Sequence, residues 1–443
     1  MNSQPATDSA RIKTGLASED ELTRRSYYRA TCAQPPARPA LAGTETADVC
    51  VVGGGLAGLS SALELAARGY SVVVLEAQHI GWGASGRNGG QFIVGHASED
   101  PFISQLGNAQ ARAAWDISVE GIKLLRARVE QYAIDCDFVP GWMYLATGAK
   151  KAKALREDFE FIHDTFDFQH WSWIAPDDMA HWIASPRYVA GIFDALSGHL
   201  HPLKYTLGLA QAAQAAGVRV FEHSRATAIE RGAAPVVKTA QGEVRCKFVV
   251  LAGNCYLGNL APELAARIMP VGTYVVATNP LSPELADSLI PTRAAVCDNN
   301  FILDYFRVTN DHRVLFGGRV SYSTMTPLNL DASMLARTLM AFPQLAGKIK
   351  VDYSWGGFVD ITMNRAPDFG RLADNIYYLQ GFSGHGLALT GIAGKIAAEA
   401  IAGQAERFDV YTRLRHLPFP GGKLMRTPAV GVGTLWYRLR DLL

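Results

Sequence analysis

Three glycines near the start of the chain have the spacing of a dinucleotide-binding turn. Gly53, Gly55 and Gly58 follow a short β-branched run at 49–52, and a helical pattern of apolar residues follows them. With the second β-branched run at 72–75, the segment predicts a strand–helix–strand (βαβ) unit. Glycine at these positions permits a tight turn, lets a pyrophosphate approach the backbone and lets the helix pack closely on the strand. The helix N-terminus then presents N–H groups and a positive dipole to the phosphates. We therefore predict that Gly53, Gly55, Leu56, Ala57 and Gly58 bind a dinucleotide.

Glu76 supplies the acidic residue that such a site needs. It ends a second β-branched run, 72–75, at roughly the 20-residue distance from the glycines that the motif demands. A carboxylate there can accept hydrogen bonds from the adenosine ribose, with Ala77 beside it. The alternative is a glycine-rich turn in an ordinary α/β protein, in which Glu76 is a solvated strand end.

A second glycine-rich segment, GWGASGRNGGQ at residues 81–91, follows directly. Its glycines and small polar residues exclude regular structure. It lies where a cofactor extending from the first turn would pass, so its backbone N–H groups would follow the diphosphate and flavin; a surface loop is the alternative. The predicted cofactor-binding residues in this segment are Ser85, Gly86, Arg87, Asn88, Gly89, Gly90 and Gln91.

Later segments of the chain are also predicted to contact the cofactor. Residues 201–217 predict a helix, opened near Pro202 and closed by Gly217, and the alternating residues that follow predict strands and a hairpin. The run FVVLAG predicts another central strand, ending in Gly253, and a parallel strand near Val220 would bring the backbone of Ala226 beside the adenine. Residues 376–403 combine a strand, a glycine turn and a helix whose N-terminus would point at the cofactor. The predicted cofactor-binding residues of this last turn are Gly384, His385, Gly386 and Leu387.

These features favour FAD over NAD. FAD is the longer cofactor, and two glycine turns beyond the first would enclose the rest of it. We find no second GxGxxG unit for a nicotinamide nucleotide, so dioxygen or another external acceptor would reoxidise the flavin. The 11 histidines show no metal-ligand spacing apart from His199 and His201, which we interpret as a turn, so no metal is predicted.

Length and composition bound the remaining possibilities. At 443 residues with 49% hydrophobic residues, the chain predicts more than one globular domain. The net charge of +1 argues against a nucleic-acid partner. The first residues lack the apolar stretch of a secretory signal and no run has the length of a membrane span, so we expect a cytoplasmic protein without an integral membrane segment.

The chain is predicted to be α/β, with a Rossmann-like FAD-binding domain and an antiparallel-sheet substrate domain that covers the cofactor. The FAD-binding domain is discontinuous, at 47–98, 200–269 and 355–410, and the substrate domain comprises 99–199 and 270–354. Residues 1–46 form an arm, which Tyr27 and Tyr28 would anchor to the body, with disorder as the alternative. Residues 411–443 form a tail.

The glycine segments together resemble the D-amino-acid-oxidase-like flavoproteins, which include glycine and sarcosine oxidases. The resemblance rests on VVGGGLAGLSSALELAARG, LEAQHIGWGASGRNGGQ and GFSGHG. The stretches SYYRATCAQPPARPAL and GHLHPLKY are similar to the subgroup that oxidises γ-glutamylputrescine. The resemblance implies a two-domain FAD enzyme that oxidises an amine C–N bond: hydride leaves the carbon beside a neutral amine for flavin N5, and the imine is hydrolysed.

The resemblance implies γ-glutamylputrescine or a related polyamine derivative as substrate. An oxidase or dehydrogenase of a secondary amine or imino acid, such as sarcosine or pipecolate, is one alternative, and a non-catalytic flavin-binding protein is another. Sarcosine oxidases carry a substrate-binding lysine where this chain has Ala388, and they attach flavin through a cysteine that 355–380 lacks. We therefore expect non-covalent FAD and no small α-amino acid substrate. A counterpart of their dioxygen-activating lysine is missing near Leu315, which leaves the acceptor open.

Three residues are candidates for the reacting centre. Tyr305 would contribute to an aromatic wall that excludes water and holds the amine. Arg307 would pair with a substrate carboxylate, although a surface salt bridge is equally compatible with the sequence. His385 would orient substrate or flavin, unless only its backbone matters in the glycine turn.

Overall fold

The computed structural model describes residues 23, 25–300, 303–321 and 329–419. Most of the predicted N-terminal arm before Arg25, and the predicted tail from residue 420 onward, lie outside the described residues. The strands are β1 Gly43–Thr46, β2 Val49–Val52, β3 Val72–Leu75, β4 Gln91–Phe92, β5 Val139–Ala146, β6 Trp171–Ile174, β7 Ala190–His199, β8 Arg219–Phe221, β9 Ala228–Glu230, β10 Val236–Lys238, β11 Gly242–Arg245, β12 Phe248–Leu251, β13 Ile268–Thr278, β14 Ala295–Asp298, β15 Tyr305–Val308, β16 Val314–Ser321, β17 Val351–Thr362, β18 Asp368–Ala373 and β19 Ile376–Gln380. The α-helices are α1 Tyr27–Ala30, α2 Leu56–Ala67, α3 Asp100–Leu106, α4 Asn108–Gln131, α5 Ala149–Phe166, α6 Met179–Trp182, α7 Pro202–Ala215, α8 Pro262–Ala265, α9 Pro283–Leu289, α10 Leu330–Ala341, α11 Gly386–Ile401 and α12 Glu406–Thr412.

The predicted βαβ unit lies at the centre of a six-stranded sheet. Its order is β18-β19-β12-β2-β3-β8, and only β18 runs antiparallel to its neighbour. Successive residues of β2 face opposite sides, because side chains alternate along a strand. Val49 and Val51 pack in the core with α2 and α11, whereas Cys50 and Val52 pack with residues of a four-stranded sheet. Both faces of the central strands are therefore buried, which explains their continuous apolar sequence.

The four-stranded sheet covers the second face of the six-stranded sheet. Its order is β1-β11-β10-β9, with β1 parallel to β11 and the other pairs antiparallel. The predicted hairpin is the antiparallel pair β10–β11, and the strand predicted near Val220 is β8, which runs parallel to β3. Both predictions are confirmed.

The helix predicted over 201–217 is α7, and its ends have identifiable causes. Pro202 occupies the first helical position, and Nδ1 of His201 accepts a hydrogen bond from the Lys204 N–H at 3.2 Å. Gly217 follows the helix with φ +89°, a conformation that favours glycine. His201, interpreted from the sequence as part of a turn, is the N-cap residue in the short connection between β7, which ends at His199, and α7.

The largest sheet is mostly antiparallel and has nine strands. Its path is β17-β13-β16-β15-β14-β5-β7-β4, with β6 paired to β7. The pair β14–β5 is parallel, and helices α9 and α10 interrupt the region 270–354, for which only strands were predicted. One face bears a core that includes Met143, Val296 and Phe306, whereas Trp142 and Cys297 belong to a cluster on the opposite face, against which Tyr305 packs.

Two strands cross the predicted domain boundaries. β17 pairs with β13 along its length, from Thr278 opposite Val351 to Ile268 opposite Thr362, although the boundary was placed at residue 355. β4 lies in the segment assigned to the FAD-binding domain but pairs with β7 of the large sheet. Tyr411, the first residue of the predicted tail, is buried in the core around α11. The division into two domains stays a prediction.

Within the described part of the chain, no single helix is long and apolar enough to cross a membrane. The neighbouring helices α11 and α12 reach that length and composition only as a pair, with a bend of 116° between them.

Candidate cofactor and active site

The first glycine turn is too crowded for side chains. Gly53 has φ +117°, and a Cβ there would lie 2.5 Å from the carbonyl oxygen of Ala252. A Cβ on Gly58 would lie 1.9 Å from the carbonyl oxygen of Gly53. Helix α2 therefore begins directly after the turn, and its N-cap residue is Gly55, which has no side chain to cap the helix. These contacts reproduce what the predicted motif requires of its glycines.

Glu76 lies beside this turn. Its Oε2 accepts a hydrogen bond from the Gly54 N–H at 2.7 Å, and its Oε1 accepts one from the Gln78 N–H at 2.8 Å. Burial raises the pKa of Glu76, and the two backbone N–H groups oppose that shift. The carboxylate is thus fixed at the carboxyl end of β3 by the backbone on both sides. The contact of Glu76 with a ribose stays a prediction, and so does the contact of Ala77 with the cofactor.

The segment 81–91 folds over the N-terminus of α2. Ser85 Oγ accepts a hydrogen bond from the Leu56 N–H at 3.0 Å, and a Cβ on Gly55 would lie 2.8 Å from that oxygen. Asn88 braces the loop itself, because its Nδ2 donates to the Ala84 carbonyl at 3.0 Å and its Oδ1 accepts from the Gly90 N–H at 2.8 Å. The predicted loop therefore lies next to the predicted phosphate turn.

The end of this segment joins the large sheet. Gln91 Nε2 donates to the Val296 carbonyl at 3.1 Å, and Gln91 Oε1 accepts from Trp142 Nε1 at 3.1 Å. Arg87 is buried, with its guanidinium carbon 4.3 Å from the centre of the Trp82 ring. Gly86 lies in a short 3₁₀ turn, where a Cβ would be 2.1 Å from the Gly81 carbonyl oxygen.

The third predicted turn leads into α11. Gly384 has φ +91°, and a Cβ there would have no atom within 4 Å. His385 occupies the N-cap position without a side-chain hydrogen bond to the helix, followed by Gly386 and the buried Leu387. Ser60 Oγ on α2 donates to the Gly391 carbonyl on α11 at 2.6 Å, so the two helices that follow the glycine turns pack on each other.

Residues 48–400 match the protein family described as FAD dependent oxidoreductase. The chain belongs to this family. The resemblance to D-amino-acid-oxidase-like flavoproteins and the prediction of FAD as cofactor are thereby confirmed.

Curated relatives of this FAD dependent oxidoreductase match it over nearly their full length. The chain is 44% identical to the gamma-glutamylputrescine oxidoreductase of Escherichia coli (strain K12), over 94% of this chain and 98% of that protein. It is 41% identical to the probable oxidoreductase OrdL of Haemophilus influenzae, over 94% and 97%.

Solved structures show the same fold. The glycine oxidase of Geobacillus kaustophilus superposes with a TM-score of 0.70 at 21% identity, over 81% of this chain and 95% of that chain. The L-proline dehydrogenase of P. horikoshii gives a TM-score of 0.70 at 22% identity, over 84% and 98%. These similarities confirm the predicted fold class.

The residues of this FAD dependent oxidoreductase fit the cofactor of its family. The glycine turn places bare backbone against the N-terminus of α2, the partly buried carboxylate of Glu76 lies beside it, and Gly384 leaves open space before α11. Gly253 follows β12, and a Cβ there would lie 2.6 Å from Leu257 Cδ2. The contact of Ala226 with adenine and the non-covalent attachment of FAD stay predictions. Among the described residues, no three His, Cys, Asp or Glu side chains form a group that could hold a metal ion.

Tyr305 stands where the loop meets the large sheet of the oxidoreductase. A Cβ on Gly89 would lie 2.5 Å from Tyr305 Cε2, and a Cβ on Gly317 would lie 2.0 Å from the same atom. The ring therefore fits between two glycines. Trp142 stacks on Tyr144 with 5.4 Å between ring centres, and Tyr144 and Tyr305 both pack against the hydrophobic cluster that contains Trp142. Burial raises the pKa of Tyr305, so its phenol stays protonated near neutral pH.

Arg307 is buried and bonded to the protein's own groups. Its Nε donates to the Gly89 carbonyl at 3.1 Å, and its Nη2 donates to the Leu200 carbonyl at 3.2 Å and to the Tyr28 hydroxyl at 3.3 Å. From the sequence, we expected Arg307 to pair either with a substrate carboxylate or with an acidic residue in a surface salt bridge. In the structure its partners are one carbonyl of the loop 81–91, the Leu200 carbonyl and the Tyr28 hydroxyl, and a contact with a substrate carboxylate stays a prediction.

His385 is predominantly neutral at physiological pH. Burial, together with the neighbouring His96, lowers its pKa to about 4. Behind it lies a polar group that the sequence did not indicate: His96 Nδ1 bonds Glu99 Oε2 at 2.9 Å, and His96 Nε2 bonds the Tyr411 hydroxyl at 3.1 Å. A role of the His385 side chain in substrate binding stays a prediction.

Asp360 was also not found from the sequence. It is buried on β17, and its Oδ2 accepts a hydrogen bond from the Gly381 N–H at the start of the third turn. An acid in a strand gives no sequence signal, because strand side chains alternate between the interior and solvent. Asp360 thus orients the turn that precedes α11.

We expect Asp360→Asn to weaken the pH dependence of stability. Burial raises the pKa of Asp360 from 3.8 to about 7. A raised pKa in the fold means that the contribution of this carboxyl to stability is complete below pH 3.8 and is lost as the pH rises through about 7. The loss is bounded at roughly 4 kcal/mol, from about 1.4 kcal/mol per pKa unit. Asparagine keeps an oxygen for the Gly381 N–H.

The measurement is the free energy of unfolding in urea between pH 5 and 8. The wild-type value falls over this range, and the fall is smaller in Asp360→Asn. Asp331→Asn is the control, because Asp331 is an exposed carboxylate paired with Arg25 at 2.8 Å. An identical fall in the wild type and Asp360→Asn would contradict the expectation.

Proposed function

We propose that the protein oxidises the C–N bond of an amine with FAD, and that the amine is γ-glutamylputrescine or a related polyamine derivative. The observation that carries this proposal is the 44% identity to gamma-glutamylputrescine oxidoreductase over 94% of this chain and 98% of that protein. The proximity of the glycine segments supports it, because the loop 81–91 contacts the N-terminus of α2, and α2 packs on α11.

The chain's own residues have roles that follow from their positions. FAD supplies the hydride acceptor when bound. The first turn and α2 would bind its diphosphate, and Glu76 its ribose. The N-terminus of α11 would favour negative charge on the flavin, because helix N-termini carry a partial positive charge. The cluster of Trp142, Tyr144 and Tyr305 would exclude water from the substrate, which favours the neutral form of an amine.

The residue at position 388 supports a substrate other than a small α-amino acid. Ala388 is buried in the first turns of α11, so a lysine for a substrate carboxylate is missing there. A secondary amine or imino acid is the second candidate substrate class. A third candidate is a non-catalytic protein that binds flavin without turning over a substrate.

The test is the reduction of the bound flavin by an amine in the absence of air, measured by the loss of flavin absorbance. We expect γ-glutamylputrescine to bleach the flavin band faster than putrescine, sarcosine or pipecolate at equal concentration. Faster bleaching by sarcosine or pipecolate would move the assignment to secondary amines or imino acids. A flavin that no amine in the panel bleaches, while dithionite does, would overturn the proposal.

Admission of air to the reduced protein tests the electron acceptor. Rapid return of the absorbance, with hydrogen peroxide, would identify dioxygen as an acceptor, and slow return would favour another electron acceptor. The cytoplasmic location expected from the sequence stays a prediction.

A further inference from the structure

We infer that Tyr28 is a positioning residue of the flavin site and that it acts through Arg307 on the backbone of the loop 81–91. The inference rests on the proposed contact between this loop and FAD. The N-terminal segment, which the sequence indicated only as an arm, would then help to position the loop 81–91.

Tyr28 is fully buried against the residues that hold the loop. Its ring lies edge-on to Trp355, with 5.1 Å between ring centres, and edge-on to His201 at 4.7 Å. Its hydroxyl accepts a hydrogen bond from Arg307 Nη2 at 3.3 Å. Burial raises the pKa of Tyr28 even though the guanidinium opposes the shift, so the group is a neutral phenol.

Both partners of Tyr28 bind carbonyl groups of the loop. Arg307 Nε donates to the Gly89 carbonyl at 3.1 Å, and Trp355 Nε1 donates to the Arg87 carbonyl at 2.9 Å. Arg307 is itself oriented by the Leu200 carbonyl at 3.2 Å. Tyr28 thus contacts the two side chains that hold alternate carbonyls of one loop, and it fixes their positions relative to each other.

Fixed carbonyls determine the direction of the neighbouring N–H groups. A trans peptide is planar, and its N–H points opposite to its C=O. Trp355 therefore directs the Asn88 N–H away from itself, and Arg307 does the same for the Gly90 N–H, which bonds Asn88 Oδ1 at 2.8 Å. Oriented peptide dipoles beside a flavin change the relative stability of its oxidised and reduced forms.

Tyr27 provides a matched control. It is the preceding residue, it is buried in the same cluster, and its hydroxyl also donates a side-chain hydrogen bond, to Asp311 Oδ1 at 2.6 Å. Asp311 bonds Thr309 and Arg313, and neither of these residues belongs to the loop. Loss of either hydroxyl should therefore perturb the segment similarly, whereas only the Tyr28 hydroxyl reaches Arg307.

The experiment compares Tyr28→Phe with Tyr27→Phe in the full-length chain. FAD is removed and titrated back, and the dissociation constant is read from flavin fluorescence. We expect a rise of about five- to tenfold, roughly the net effect of one ordinary hydrogen bond, in Tyr28→Phe and less than about twofold in Tyr27→Phe. The ratio of reduced to oxidised flavin at a fixed solution potential should change only in Tyr28→Phe, as should the visible circular dichroism of the bound flavin.

Asn88→Ala separates the inference from the proposed role of the loop. This variant removes the side chain that braces the loop. If Asn88→Ala weakens FAD binding but Tyr28→Phe behaves like Tyr27→Phe, the inference about Tyr28 is wrong and the loop keeps its role. If Asn88→Ala also leaves FAD binding unchanged, the proposed contact between loop and cofactor is wrong and the inference falls with it.

Discussion

Gly58→Ala is expected to abolish FAD binding at micromolar cofactor and to destabilise the apoprotein. The added Cβ would lie 1.9 Å from the Gly53 carbonyl oxygen, which is a backbone atom and cannot rotate away. Helix α2 must therefore move off the turn. Overpacking of this kind costs about 1–3 kcal/mol, occasionally more. The FAD dissociation constant should rise at least about 100-fold, because turn and helix N-terminus must act together on the phosphates.

Gly391→Ala is the control for this prediction. Gly391 is also inside a helix, and the nearest atom to its added Cβ would be Arg128 Nη1, at an ordinary contact distance of 3.5 Å. We expect wild-type FAD affinity and, from helix propensity, a stability gain of up to about 1 kcal/mol. The measurements are FAD titration and urea unfolding. Wild-type affinity in Gly58→Ala would contradict the assignment of the turn.

Glu76→Ala is expected to have the second-largest effect on FAD binding. Two hydrogen bonds from ribose hydroxyls to a carboxylate are together worth about 100-fold in affinity or more, since bonds to charged groups contribute roughly 1.5–3 kcal/mol each. The substitution also leaves the N–H groups of Gly54 and Gln78 without the acceptor they have in the structure. Some destabilisation of the apoprotein will accompany the loss of affinity.

Glu222→Ala separates these two effects. Glu222 also accepts hydrogen bonds from two backbone N–H groups, of Arg38 at 2.9 Å and of Ile80 at 2.8 Å. We expect both variants to lower the free energy of unfolding without FAD, by about 1–3 kcal/mol for each N–H left unpaired. The fall should be at least as large in Glu222→Ala, because this variant also breaks the ion pair with Arg38 at 3.2 Å. Only Glu76→Ala should lose FAD affinity. Equal affinity in the two variants would show that Glu76 does not bind the ribose.

Local sequence was sufficient where one short segment determines its own structure. The strands predicted at 49–52 and 72–75 have those bounds in the structure, because a β-branched run beside glycines leaves little alternative. The helix between them was equally clear. Likewise, the hairpin β10–β11 joins residues close in sequence.

Distant contacts could not be predicted from local sequence. Arg307 and Tyr28 are 279 residues apart in the chain, and no spacing indicates that one donates to the other. Helices α9 and α10 went unrecognised because the surrounding strand pattern dominated the region 270–354. Asp360 illustrates the same limit, since its partner Gly381 lies on a turn that only the fold brings close.

Side chains of strand β17 bind both the loop 81–91 and the glycine turn that precedes α11. Trp355 binds the Arg87 carbonyl, and Asp360, five residues further along, binds the Gly381 N–H. An odd spacing places the two side chains on opposite surfaces of the strand, about 17 Å apart along its axis at roughly 3.4 Å per residue. Covalent geometry, rather than packing, therefore sets the distance between these two anchoring points. A displacement of β17 as a unit would carry both segments in the same direction, so the distance between them would be conserved even when the surrounding sheet shifts.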